Sequence, residues 1–164
     1  MRMMPDLFSK PRDILYIGAR ADSFDFGDLF RQARCEITVL EAFKENVEHL
    51  RTLPWLHQVI QADIDRFRSI DDYDLIFWWH GPEHIAEERL PYALSYLECC
   101  ASEAVILGCP WGESEQGAIH DNPFEIHKSH LDYRLFESLG YDTECLGYKD
   151  QPGSHITAIK RINK

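Results

Sequence analysis

The stretch DTECLGYKDQPGSHITAIKRI, residues 142–162, decides which sheet the rest of the sequence builds. It holds two runs of strand-forming residues, with Pro152 and Gly153 as turn formers between them. The chain between the runs is too short for the crossover helix that a parallel pair needs, so the two strands must run antiparallel. An antiparallel hairpin therefore completes the sheet formed upstream.

The upstream runs read differently. DILYIGA (13–19), CEITVLEA (35–42), HQVIQAD (57–63), YDLIFWWH (73–80) and EAVILGCP (103–110) are short, apolar and rich in β-branched and aromatic residues. Parallel strands buried on both faces have this composition. Segments with helical spacing lie among them: FGDLFRQAR (26–34), FKENVEHLRTL (43–53), RLPYALSYLECCASE (89–103), and EIHKSHLDYRLFESLGY (125–141). Pro91 suits a first helical turn and Gly140 a C-terminal cap. The pattern predicts an α/β fold, a single domain over residues 1–164 with a mostly parallel seven-stranded sheet between helices and an antiparallel C-terminal hairpin. Residues 1–11 read as either a cap or a flexible segment.

With 17 basic against 28 acidic residues the formal net charge is -11, a field that repels a phosphate backbone, so nucleic acid is not an expected partner. The five cysteines, at 35, 99, 100, 109 and 145, are odd in number and show no CxxC spacing. Neither a disulfide framework nor a cysteine zinc site follows, and a reducing compartment is expected. MRMMPDLFSKP at the start lacks the apolar core of a signal peptide, and no apolar run approaches the roughly 20 residues of a membrane span. The expected location is cytoplasmic, with no membrane partner.

In an open parallel sheet ligands bind beyond the carboxyl ends of the strands. There the sequence places Gly18 and Arg20, Glu41, Asp63, the group from His80 to His84, and Cys109 to Glu113. Gly18 lets a backbone approach a ligand closely, and Glu41 has the position of an acid that accepts hydrogen bonds from ribose hydroxyls, about 20 residues further on. A tight turn and a solvated glutamate are the other reading of this pair. Asp63 reads equally as an adenine contact and as a helix cap. In WWHGPEHI (78–85), two imidazoles, the side chain type suited to proton transfer at neutral pH, flank the acidic Glu83, so His80, His84 and Glu83 are the catalytic candidates for removing a proton from an acceptor.

HDNPFEIHKSH (120–130) carries His120, His127 and His130 with Glu125 nearby, and His127 and His130 at i and i+3 would share a helical face. Their spacing matches no standard zinc pattern, so no metal is expected. Trp78, Trp79 and Trp111 read as core, Trp111 also as a pocket wall. GESEQGAI (112–119) has the spacing of a phosphate loop without its lysine, no tyrosine is followed four residues later by lysine, and no GxSxG occurs.

In order along the chain, ILYIGAR, VLEAF, QADID, YDLIFWWHGPEH and AVILGCPWGE, followed by the hairpin, the sequence resembles the class I S-adenosylmethionine-dependent methyltransferases over nearly its whole length. The resemblance implies a Rossmann-like fold, S-adenosyl-L-methionine as cofactor and a small-molecule or sugar-type acceptor, with O-methylation as the working reading. It implies that Gly18 and its neighbours hold the methionine part, Glu41 the ribose and Asp63 the adenine amino group, with His80 at the cofactor's edge facing the acceptor. The family's GxGxG is GARAD here, so Arg20 and Asp22 stand at small-residue positions. Arg20 is then a partner for the cofactor carboxylate or an obstruction to it. DNPF (121–124) imitates the amino-methyltransferase NPPY motif but follows the fifth strand rather than the fourth. A non-catalytic binding module and a nicotinamide-dependent oxidoreductase are the alternatives, and self-association into a homodimer is left open.

Overall fold

The computed structural model describes residues 4–20, 26–68 and 71–163. Its strands are β1 (Asp13–Ile17), β2 (Glu36–Glu41), β3 (Gln58–Gln61), β4 (Tyr73–Trp79), β5 (Ala101–Pro110), β6 (Asp142–Leu146) and β7 (His155–Arg161). Its α-helices are α1 (Gly27–Gln32), α2 (Lys44–Leu50), α3 (Leu90–Cys100) and α4 (Tyr133–Ser138).

One sheet of seven strands runs in the order β3-β2-β1-β4-β5-β7-β6. The pairs among β1 to β5 are parallel, and β7 is antiparallel to both β5 and β6. The hairpin read from residues 142–162 thus enters the sheet with its second strand against β5. A dinucleotide-binding Rossmann sheet instead continues with a parallel sixth strand.

Successive side chains of a strand point to opposite faces, which gives the sheet two cores. Leu15, Ile17, Ile76 and Trp78 pack with Leu90, Leu94 and Leu97 of α3 and Phe136 of α4. Ile14, Tyr16, Leu75 and Phe77 pack on the other face with Phe30 of α1 and Leu50 of α2. The three-layer arrangement expected from the sequence follows from that alternation.

The helix-cap reading of Asp63 and one helix boundary are corrected. The described residues between β3 and β4 contain turns and no helix, and Phe67 covers that part of the α3 face, edge-on to Tyr96. The helix expected over 125–141 starts only at Tyr133, because the Asp132 side chain accepts the Arg134 N–H at 3.0 Å and caps it there. Upstream, backbone N–H groups bond to distant loops rather than to their own turn: His127 to the Gln116 carbonyl at 3.1 Å, Lys128 to the Glu83 carbonyl at 2.8 Å. His127 and His130 therefore share no helical face.

Side chains among residues 4–11 pack into the sheet's α1 face. Met4 and Leu7 are buried in the α1 face, and Arg12 ties them down from the start of β1. Arg12 is 3% exposed, and its guanidinium donates to the Asp6 and Leu7 carbonyls, to the Asp6 carboxylate at 3.0 Å and to Glu103 at 2.8 Å. Arg12→Met keeps the stem but strands these acceptors. We expect it to lower stability by about 2 kcal/mol, read as a shift in the urea midpoint.

Candidate active site

Strand order reverses between β1 and β4, and the loops leaving those two strands part in opposite directions. A cavity of about 400 Å³ opens there, within the range of small-molecule sites. Its walls come from the ends of β1, β2 and β4, from residues after β3, and from the segment after β5 that folds back over them.

Gly18 lies at the end of β1 with φ +77°, and its N–H donates to the Leu40 carbonyl at 2.9 Å. That bond sets it beside the end of β2, where Glu41 follows. A Cβ built on Gly18 would meet no atom within 4 Å, so the backbone there faces open space. Glu41 is 5% exposed, and one oxygen accepts the Phe43 N–H at 2.7 Å. Burial outweighs that bond and the one from Asn46, and pushes its carboxyl up from 4.5 to about 7. A carboxylate has about four lone-pair sites, so acceptor capacity for two hydroxyls remains. Asp63 has no helix directly after it to cap. It accepts the Asp65 N–H at 3.0 Å in a turn and it lines the cavity. Arg20 lines the same cavity, while Asp22 lies outside the described residues.

The opposite wall is the turn after β4. His80 adopts φ +50°, held by its N–H bond to the Gly108 carbonyl at 2.8 Å. Gly81 is required next. A Cβ there would come within 1.8 Å of the Trp78 Nε1, so only glycine lets the indole lie under the turn. Pro82–His84 then form one 3-10 turn that buries Glu83. Glu83 Oε1 is 3.6 Å from His80 Nδ1 and 4.0 Å from His127 Nε2.

His80, Pro110 and Ser114 also line a second cavity of about 540 Å³, walled by Trp111, the segment 150–154 and His155. Burial, reinforced by neighbouring His80, pushes His155 down to about 4, so its ring is neutral near pH 7. Cys109, fully buried at the end of β5, has its thiol pushed well up by burial and is not a reactive group.

The structure therefore brings Gly18, Arg20, Glu41, Asp63, His80, Glu83 and His84 to one cavity. His120 and His130 are exposed and do not line it, whereas His127 does. Reading the sequence missed Ser114, Gln116, Asn122 and Phe124. The signal was the discounted DNPF: its Asn122 is buried, and its side chain accepts the Phe124 N–H at 2.9 Å to shape the returning loop.

No family model matches the sequence, and no curated protein matches it. Solved structures do. The DhpI–SAH complex superposes with a TM-score of 0.71 at 12% identity, covering 99% of this chain and 82% of that one. The N-methyltransferase NodS from Bradyrhizobium japonicum WM9 gives 0.66 at 16% identity, over 97% of this chain and 90% of its own. The N-terminal domain of EvdMO1, crystallised in the presence of SAH and D-fucose, gives 0.69 at 19%, over 99% and 81%. The chain has the class I S-adenosylmethionine-dependent methyltransferase fold. In that fold the cavity occupies the ligand-binding end of the sheet, beyond the carboxyl ends of β1, β2 and β4. No helix among the described residues is long and apolar enough to cross a membrane.

Proposed function

We propose that this chain is a single-domain methyltransferase, residues 1–164, that uses S-adenosyl-L-methionine to methylate a hydroxyl of a small or sugar-type acceptor. The observation that carries the reading is the pairing of Gly18 and Glu41. An open glycine backbone and a buried carboxylate on the adjacent strand face one cavity. These residues fit the cofactor. Gly18 would admit the methionine part, Arg20 would pair with its carboxylate, Glu41 would accept the ribose hydroxyls and Asp63 the adenine amino group.

Bound there, S-adenosylmethionine supplies a methyl group already activated on a sulfonium. What remains for the chain is alignment of the acceptor and removal of its proton. His80 lines both cavities, so an acceptor held in either can meet it. His80 would take the hydroxyl proton of an acceptor held against that methyl group. Glu83 beside His80 compensates the imidazolium charge, and His84 adds a second imidazole on that wall. A small-molecule acceptor suits a chain of net charge -11, which disfavours nucleic acid, and a cytoplasmic setting suits an odd number of cysteines without CxxC spacing.

Isothermal calorimetry with S-adenosylhomocysteine tests the reading without knowledge of the acceptor. Saturable binding of one equivalent at micromolar concentration is expected. No heat at millimolar ligand would remove the cofactor assignment, and heat on titration with NADH instead would favour the oxidoreductase.

A further inference from the structure

Beside the cavity, imidazoles converge on one carboxylate in an arrangement that proton removal by His80 does not require. Glu83, His84 and His127 each offer a ligand atom, and these atoms lie within 4.8 Å of one another. Glu83 is the hub. Its side chain is 3% exposed and neither oxygen accepts a hydrogen bond from a described residue. The approaches of His80 Nδ1 at 3.6 Å and His127 Nε2 at 4.0 Å are too long to be hydrogen bonds. A buried carboxylate in this condition is strongly unfavourable until a cation meets it.

The two histidines are set up for a cation between themselves and the carboxylate. His127 bonds the Ser114 carbonyl through Nδ1, which makes Nδ1 the protonated nitrogen of the neutral ring and leaves the lone pair on Nε2, the atom nearest Glu83. His84 makes a longer contact of the same kind, Nδ1 to the Ile126 carbonyl at 3.4 Å, and its ring meets that of His127 at 5.0 Å. A carbonyl behind one ring nitrogen and a lone pair ahead on the other is the support that metal-bound histidines have. The backbone holds the two sides together: the Glu83 carbonyl accepts from Lys128 N at 2.8 Å and Ser129 N at 3.2 Å. Neither contact was visible in the sequence spacing, since Glu83 and His127 come from different loops.

We propose that Glu83, His84 and His127 bind one divalent transition-metal ion, zinc-like in its preferences, on the acceptor side of the cavity. Two imidazoles and one carboxylate are a set with which zinc retains an exchangeable position, and here that position faces the cavity. Bonds of about 2.1 Å put ligand atoms about 3.4 Å apart around a tetrahedral ion, so the 4.0 Å between His127 and Glu83 needs only a small side-chain rotation. The proposal does not rest on methyl transfer. Where both hold, the ion would bind the acceptor oxygen and ease loss of its proton to His80.

The test uses the full chain, stripped with chelator and titrated with Co2+ in the absence of cofactor and acceptor. One equivalent is expected to bind with the visible absorption of a four- or five-coordinate ion, and one equivalent of Zn2+ to displace it. Glu83→Gln, His84→Ala and His127→Ala should each weaken Co2+ at least a hundredfold, while the double variant His120→Ala/His130→Ala should not. His84 is less buried than Glu83, so its variant decides if Glu83→Gln does not fold. No saturable binding up to millimolar Co2+, binding that survives in His84→Ala, or binding that disappears with His120 and His130 would each overturn the site.

Discussion

Glu41→Gln is expected to make the folded protein more stable above neutrality and to remove most of its affinity for cofactor. In the unfolded chain the carboxyl ionises near 4.5, and in the folded one near 7. Between those values the folded state keeps a proton that the unfolded state has released, so the native protein loses stability as pH rises from 4.5 to 7, and the deficit is constant above that. The shift corresponds to about 3 kcal/mol. Gln has nearly the same shape, still accepts the Phe43 N–H, and cannot ionise. Urea titrations should give equal stability for the two proteins at pH 4 and a variant more stable by about 3 kcal/mol at pH 8. Parallel pH profiles would contradict a buried, ionisable Glu41. The same substitution replaces a charged acceptor by a neutral one. Affinity for S-adenosylhomocysteine should fall 10- to 100-fold, corresponding to about 1.4 to 2.8 kcal/mol. In the parent protein that affinity should rise with pH from 6 to 8 as the carboxylate forms, and in the variant it should not.

Phe77→Ala is expected to give the largest loss of stability among these variants. Phe77 sits fully buried at the centre of β4, with ring centroids of Tyr16, Phe26, Phe30 and Trp79 between 5.2 and 5.5 Å away. Its truncation removes a large apolar area and leaves a cavity that a sheet packed on both faces cannot close. The expected cost is about 4 kcal/mol, or a fall of about 10 °C in Tm. Phe77→Leu, which refills much of the volume, should cost less than half as much. The consequence reaches the site because Trp79, stacked on Phe77, also packs against Gly108, where a Cβ would meet the indole at 2.3 Å. Gly108 in turn holds His80 through its carbonyl. A loss below 1.5 kcal/mol for the alanine variant would mean that the cluster relaxes and does not position His80.

Several of these features can be read from residues alone. The central parallel strands announce themselves by apolar runs such as ILYI and LIFWW, because burial on both faces leaves few polar positions, whereas the edge strand QVIQ keeps a glutamine at each end; the hairpin is announced by the shortness of its connection. Gly18, Glu41 and His80 stand at strand ends, where the topology of an open parallel sheet sends its ligands. The helix wrongly extended over 125–131 shows the limit. Its apolar spacing is helical, but its N–H groups find better partners in Gln116 and Glu83, which are near only once the sheet is formed.

The sequence by itself determined the strands, their mostly parallel sense, the closing hairpin and the polar residues at the strand ends, because all of these depend on local pattern and connection length. Tertiary structure alone decided which of those polar residues meet. The loop after β5 folds back over β4, bringing His127 to Glu83 and leaving His120 and His130 outside the cavity. It also decided that Glu41 is buried enough to resist ionisation. Both outcomes depend on neighbours distant in the chain, and no spacing along it records them.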